Sequence, residues 1–236
     1  MSGARSLWHR GVGIGLVWLA SCAVAMAATV PDTLEQRVAA CTSCHGKHGG
    51  GGDNGFNPRL AGKPARYLYR QLLHFRDGRR HYSMMRHMVT GLSDSYLREI
   101  ADYFAAQTPA YPTPVPSPLP PALRQQVRTL VENGDRARDI PACAACHGKR
   151  LTGREPGIPA LVGLPPDYIR SQLGAWRNGS RRADPPDCMA TVAKRLDAND
   201  IHQVAAWLAA QPVPDDARPA PAGGTALPMH CGSAAE

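Results

Sequence analysis

Two short stretches of this chain carry the residue types most able to do chemistry. "AACTSCHGKH" places Cys41, Cys44 and His45 in the order Cys-x-x-Cys-His, and "PACAACHGKR" repeats the order with Cys143, Cys146 and His147. A close cysteine pair serves several chemistries. A structural zinc site needs four tetrahedral ligands, whereas each copy supplies two cysteines and one histidine. A thioredoxin-like redox pair needs a strand before the motif and a helix after it, and the proline- and glycine-rich surroundings provide neither. The adjacent histidine fits covalent haem c best. Two thiols one helical turn apart can add to the two vinyl groups of a porphyrin, and the next residue then projects its imidazole toward the iron. Each copy is therefore expected to hold one covalently bound haem c. A buried macrocycle would also fill a core that so small a domain cannot build from side chains alone.

A second axial ligand would close the iron and favour electron transfer over substrate chemistry. The first copy offers Met84, Met85 and Met88, with His74, His81 and His87 nearby. Between its motif and its last helical segment the second copy offers only Met189. The repeat serves as a ruler: Met189 lies seven residues before Leu196, and Met85 lies seven residues before the matching Leu92. That register favours Met85 and Met189 as soft thioether ligands, with Met88 and then Met84 as competitors in the first copy.

The elements that must position these residues are also duplicated. "RYLYRQLLHFRDGRR" (66–80) matches "DYIRSQLGAWRNGSR" (167–181), and "LSDSYLREIADYFAAQ" (92–107) matches "LDANDIHQVAAWLAAQ" (196–211). Both copies read as helical. Pro64 and the Pro165–Pro166 pair stand where proline starts helices, Ser93 is placed as an N-cap, and Leu97, Ile100 and Phe104 share one helix face. No alternating run is long enough for a strand, so the expected class is all-α. The division is a leader over 1–28, domains over 30–107 and 122–211, a proline-rich linker over 108–121 and an irregular tail over 212–236. The linker "TPAYPTPVPSPLPP" is held near polyproline II and acts as a semi-rigid spacer.

The leader has basic Arg5 and Arg10, the apolar run "GVGIGLVWLA" and the small-residue site "AMA", which together mark export. The apolar run is too short for a comfortable membrane span. A competing feature is "LASC" at 19–22, a lipobox-like stretch whose Cys22, if lipidated, would tether the chain to a membrane. The expected compartment is the periplasm. Formal net charge is +8 before the leader's two arginines are removed. No long basic run or basic amphipathic helix accompanies it, so an acidic protein partner is expected and nucleic acid is not.

With both motifs, the methionine register, the "RLAG" and "ALVG" loops and the "RYLYRQL" and "DYIRSQL" helices in view, the chain resembles the cytochrome c4 family over residues 33–211. That family consists of di-haem proteins made of two fused class I cytochrome c domains. The resemblance implies His45 with Met85 and His147 with Met189 as axial pairs. It also implies that the carbonyls of Pro58 and Pro159 accept the ring N–H of the ligating histidines. The implied function is single-electron transfer between a respiratory dehydrogenase or quinol-oxidising complex and a terminal oxidase or similar acceptor.

Cys188 beside Met189 and Cys231 in the tail depart from the resemblance. In an oxidising compartment the two can pair. Alternatively Cys188 can ligate iron as a thiolate, which would favour a thiosulfate-oxidising di-haem enzyme; an open haem face would favour a peroxidase-like one. A fixed electron-transfer subunit of a membrane dehydrogenase is the third class. The arginines of each paired helix and the turn after it, Arg76, Arg79, Arg80, Arg177, Arg181 and Arg182, could face haem propionates or a partner, but a charged stretch after a helix is most often a solvated surface, which is the expected reading.

Overall fold

The computed structural model describes residues 32–234; the expected leader and Cys22 lie outside the described residues. The order is α1 (Leu34–Arg37), α2 (Ala39–His45), α3 (Ala65–Arg76), α4 (Ser83–Val89), α5 (Asp94–Ala105), α6 (Pro121–Asn133), α7 (Cys143–His147), α8 (Pro166–Arg177), α9 (Cys188–Arg195) and α10 (Ala198–Ala209). Among the described residues there are only isolated β-bridges and no strands. The class is all-α, as the patterning predicts.

Local chemistry sets most helix boundaries. Ser93 Oγ accepts from the Tyr96 amide and opens α5. Asp197 and Asp200 form a reciprocal capping box at the start of α10. Pro64 precedes α3, and Pro166 is the first residue of α8, where its missing N–H is not needed. Val38, fully buried, has ψ near zero and separates α1 from α2.

Two sets of apolar side chains collect inside the chain. In the first half α3 and α5 pack together, with Leu68, Ile100 and Phe104 in one cluster and Phe75, Val89 and Leu97 in another. In the second half α8, α9, α10 and α6 enclose Val131, Leu173, Ala205 and Leu208. The connection between α5 and α6 is extended but anchored. Arg59 donates to the carbonyls of Pro109 at 2.6 Å and Ala110 at 3.1 Å, and its guanidinium stacks on Tyr111 at 3.7 Å. On its other side Tyr111 meets Gly163, where a Cβ would lie 2.5 Å from the ring.

The halves join at the segments that follow α3 and α8. Arg80 and Arg181 form an antiparallel bridge, flanked by His81 N–H to Ser180 O at 2.8 Å and Arg182 N–H to Arg79 O at 2.7 Å. The tail also differs from a disordered segment. It is irregular, yet the Ala220 carbonyl accepts from the Glu155 amide at 2.8 Å and the Ala220 amide donates to Gly153 O at 3.0 Å.

Phe104 is almost wholly buried and Phe56 is 58% exposed. Phe104→Ala is expected to cost about 3–5 kcal/mol and Phe56→Ala within about 0.5 kcal/mol, measured by guanidinium unfolding of the haem-loaded protein.

Candidate functional site

Each histidine of the motifs sits at the last residue of a short helix, where the following glycine, Gly46 or Gly148, turns the chain with positive φ. Both imidazoles are buried. Nδ1 of His45 lies 2.8 Å from Pro58 O, and Nδ1 of His147 lies 2.8 Å from Pro159 O. A carbonyl can only accept, so Nδ1 carries the proton in both rings and Nε2 keeps its lone pair. Burial lowers the pKa of both imidazoles, which keeps them neutral and able to ligate. The proline loops thus fix tautomer and ring orientation together.

The cysteines of the motifs are unpaired. Burial pushes the Cys143 thiol up to about 11 and raises Cys41 as well. Thiols held protonated in this way are poor participants in disulfide exchange. Among the described residues no group of three or more His, Cys, Asp or Glu side chains converges to hold a bare metal ion, which also disfavours zinc.

Around the second motif lies an apolar cavity lined by Cys143, Cys146, His147 and Met189, with Leu161, Ile169, Leu173, Val192 and Leu208 among its walls. Met189 is thereby brought to the same cavity as His147. In the first half Met84 is 56% exposed, while Met85 and Met88 both pack against the Phe75, Val89 and Leu97 cluster. His74 is buried against Asp184, its Nε2 3.3 Å from the carboxylate.

One reading from sequence is overturned. Arg80 and Arg181 are not solvated but 9% and 4% exposed. Arg80 donates to Gln71 at 2.9 Å, Tyr168 at 3.0 Å and Gln172 at 2.7 Å; Arg181 donates to Gln172 at 2.7 Å, Gln71 at 2.8 Å and Tyr67 at 3.3 Å. Their apolar faces stack on Phe75 and Trp176. Neutral oxygens answer these two guanidiniums, and no carboxylate does so among their described hydrogen-bond partners. Lys63 is buried nearby, and burial drops its pKa to about 8. Trp176 Nε1 lines the same region without a partner. Buried cations without a carboxylate partner and an indole N–H without an acceptor suit a site for an anionic group, and the propionates of a haem would be such a group. The internal alignment offered the signal: it pairs Arg80 with Arg181, Gln71 with Gln172 and Tyr67 with Tyr168.

The cysteine pair, a buried neutral imidazole and an apolar crevice bordered by cationic donors together fit haem c. The first motif repeats the cysteine pair and the held, buried imidazole, and two such motifs on an all-helical chain define a di-haem cytochrome c. A family profile described as "Cytochrome C oxidase, cbb3-type, subunit III" matches residues 29–104. The chain is 33% identical to cytochrome c4 of Pseudomonas aeruginosa over 74% of its own length and 85% of the relative. It is 39% identical to a "Thiosulfate dehydrogenase electron acceptor" of Thiomonas intermedia, covering 74% of this chain and 80% of that one. The structure of reduced cytochrome c4 from Pseudomonas stutzeri superposes with TM-score 0.65 at 31% identity, covering 75% and 95% of the two chains. A thiosulfate dehydrogenase structure from Marichromatium purpuratum matches with TM-score 0.66 at 36% identity over 73% of this chain and 36% of that one. The chain belongs to the cytochrome c4 family of di-haem electron carriers.

Cys188 is joined to Cys231 in a disulfide, so its sulfur is not a free thiolate. Among the described residues no helix is long and apolar enough to cross a membrane.

Replacing Cys143 and Cys146 by alanine is expected to leave one haem per chain in place of two, counted by the alkaline pyridine spectrum. Arg181→Met removes a buried positive charge, which favours the ferric state; spectroelectrochemistry should show at least one potential falling by tens of millivolts.

Proposed function

We propose that this protein is a periplasmic acceptor of electrons from a thiosulfate-oxidising dehydrogenase, passing them singly to a terminal oxidase or similar acceptor, and is not itself the thiosulfate-oxidising enzyme. In this reading residues 30–107 and 122–211 are the two haem-bearing domains, joined by 108–121. His45 with Met85 and His147 with Met189 are the axial pairs. Haem c, when bound, supplies a one-electron ferric and ferrous couple.

The observation that carries the reading is the engagement of Cys188 with Cys231. A sulfur in a disulfide does not ligate iron as a thiolate, which leaves the thioethers of Met189 and Met229 as sulfur donors that share a cavity with His147, and the repeat register with Met85 favours Met189. The chain's part is then to hold each imidazole in one tautomer, keep the crevices apolar and present a docking surface. Relatives named as electron acceptors of thiosulfate dehydrogenase in Thiomonas intermedia and, at 36% identity, in Stutzerimonas stutzeri support the choice of donor.

The test mixes ferric protein with thiosulfate, with and without a thiosulfate dehydrogenase. Reduction is expected only with the dehydrogenase, and its rate should fall as salt screens the encounter. Rapid reduction by thiosulfate alone would overturn the carrier reading. Met85→Leu and Met189→Leu should each remove half of the near-infrared band of methionine-ligated ferric haem and lower one potential.

A further inference from the structure

The tail is built into the second crevice. Leaving α10, it runs beside the 150–158 loop, where Arg150 faces Asp216 at 3.6 Å and Arg154 donates to the carbonyls of Thr225 at 2.8 Å and Gly223. It then turns back to line the cavity that holds Cys146, His147 and Met189, contributing Leu227 and Met229. The disulfide to Cys188 fastens it directly beside Met189.

Past the disulfide, the Gly232 amide donates to Pro186 O at 3.0 Å, and Ser233 Oγ accepts from the Asp184 amide at 3.2 Å. A Cβ at Gly232 would run into the Pro185 carbonyl, so only glycine lets the two backbones meet this closely. The first half also grips the fastened end. Arg70 donates to Gly232 O at 3.0 Å and pairs with Asp184 at 3.0 Å.

Among the described residues the first motif has no counterpart of this fastening. By the repeat register the residue matching Cys188 is Met84, a methionine that cannot form a disulfide and is 56% exposed. The cysteine of the first motif that matches Cys146 is exposed too, whereas Cys146 is half-buried. An asymmetric covering has thus been laid on a duplicated fold.

We propose that residues 212–234 are a covalently clasped cover over the second haem crevice, closing it to outside reagents and holding Met189 in place, while the first crevice stays open to them. The part concerning Met189 rests on its assignment as an axial ligand; the closure itself does not. Closure removes the second crevice from direct encounter with small reductants and ligands. Exchange with partners is thereby biased to the face carrying Cys44 and Met84.

The experiment follows binding of imidazole to the fully oxidised, haem-loaded protein, with each haem assigned by its shifted methyl proton signals. Native protein is expected to react in two phases, the second haem slower by about tenfold or more, because entry requires local opening. In Cys188→Ser/Cys231→Ser the slow phase should approach the fast one, with the first haem unchanged and amide exchange of residues 188–195 accelerated. Leu227→Gly/Met229→Gly, which keeps the disulfide and removes the apolar wall, should move the rate in the same direction. Equal rates at both haems in native protein, or a second haem indifferent to both variants, would overturn the cover. A native protein without the near-infrared methionine band at its second haem, in which the double serine variant still speeds imidazole entry, would refute the ligand assignment and support the cover.

Discussion

The interaction on which each half depends is the hydrogen bond from a buried imidazole to a proline carbonyl. His45 and His147 cannot be buried at the ends of their helices unless their Nδ1 protons find an acceptor, since an unpaired buried N–H costs about 1–3 kcal/mol. Satisfying it requires the chain to double back by a dozen or so residues through a glycine-rich loop. That loop brings Leu60 or Leu161 against the interior and delivers the start of α3 or α8. Once the ring is held, the motif cysteines are set one and four residues before it and the methionine helices, α4 and α9, have a defined place to pack. The bond therefore orders the loop and fixes the tautomer, and an Nε2 with a free lone pair is the consequence.

A second constraint comes from joining two copies. Joining the segments that follow α3 and α8 buries two guanidiniums, and the structure answers them with paired glutamines, paired tyrosines and aromatic faces rather than with carboxylates. Such an arrangement would be expensive in a bare apolar seam. It becomes reasonable where the dianionic edge of a macrocycle is part of the interior. Lys63 and the unpartnered Trp176 indole point the same way. The positive charge counted from the sequence is thus partly internal, not all displayed to a partner.

Much of this was legible before any coordinates. The paired motifs gave the cofactor, the internal alignment gave the duplicated helices, and Ser93, Pro64 and Pro166 marked helix starts that the backbone respects. The failures have physical causes. Arg80 and Arg181 read as surface because charge after a helix is usually solvated, and only the seam between copies, which no single-repeat argument contains, buries them. The break at Val38 comes from core packing that local propensity does not report. The tail, rich in proline and glycine, had the composition of a loose end; a disulfide and a series of backbone contacts hold it instead. Met229 went unweighed for the same reason, since its sequence position gives no hint that it returns to the second crevice.

The central claim is that both irons are six-coordinate and serve electron transfer. Electron paramagnetic resonance of the oxidised full-length protein, with haem counted per chain, tests it most directly. The account predicts two haems and low-spin ferric signals that integrate to both, with no high-spin component. A single haem per chain, or a high-spin signal amounting to one iron, would contradict it.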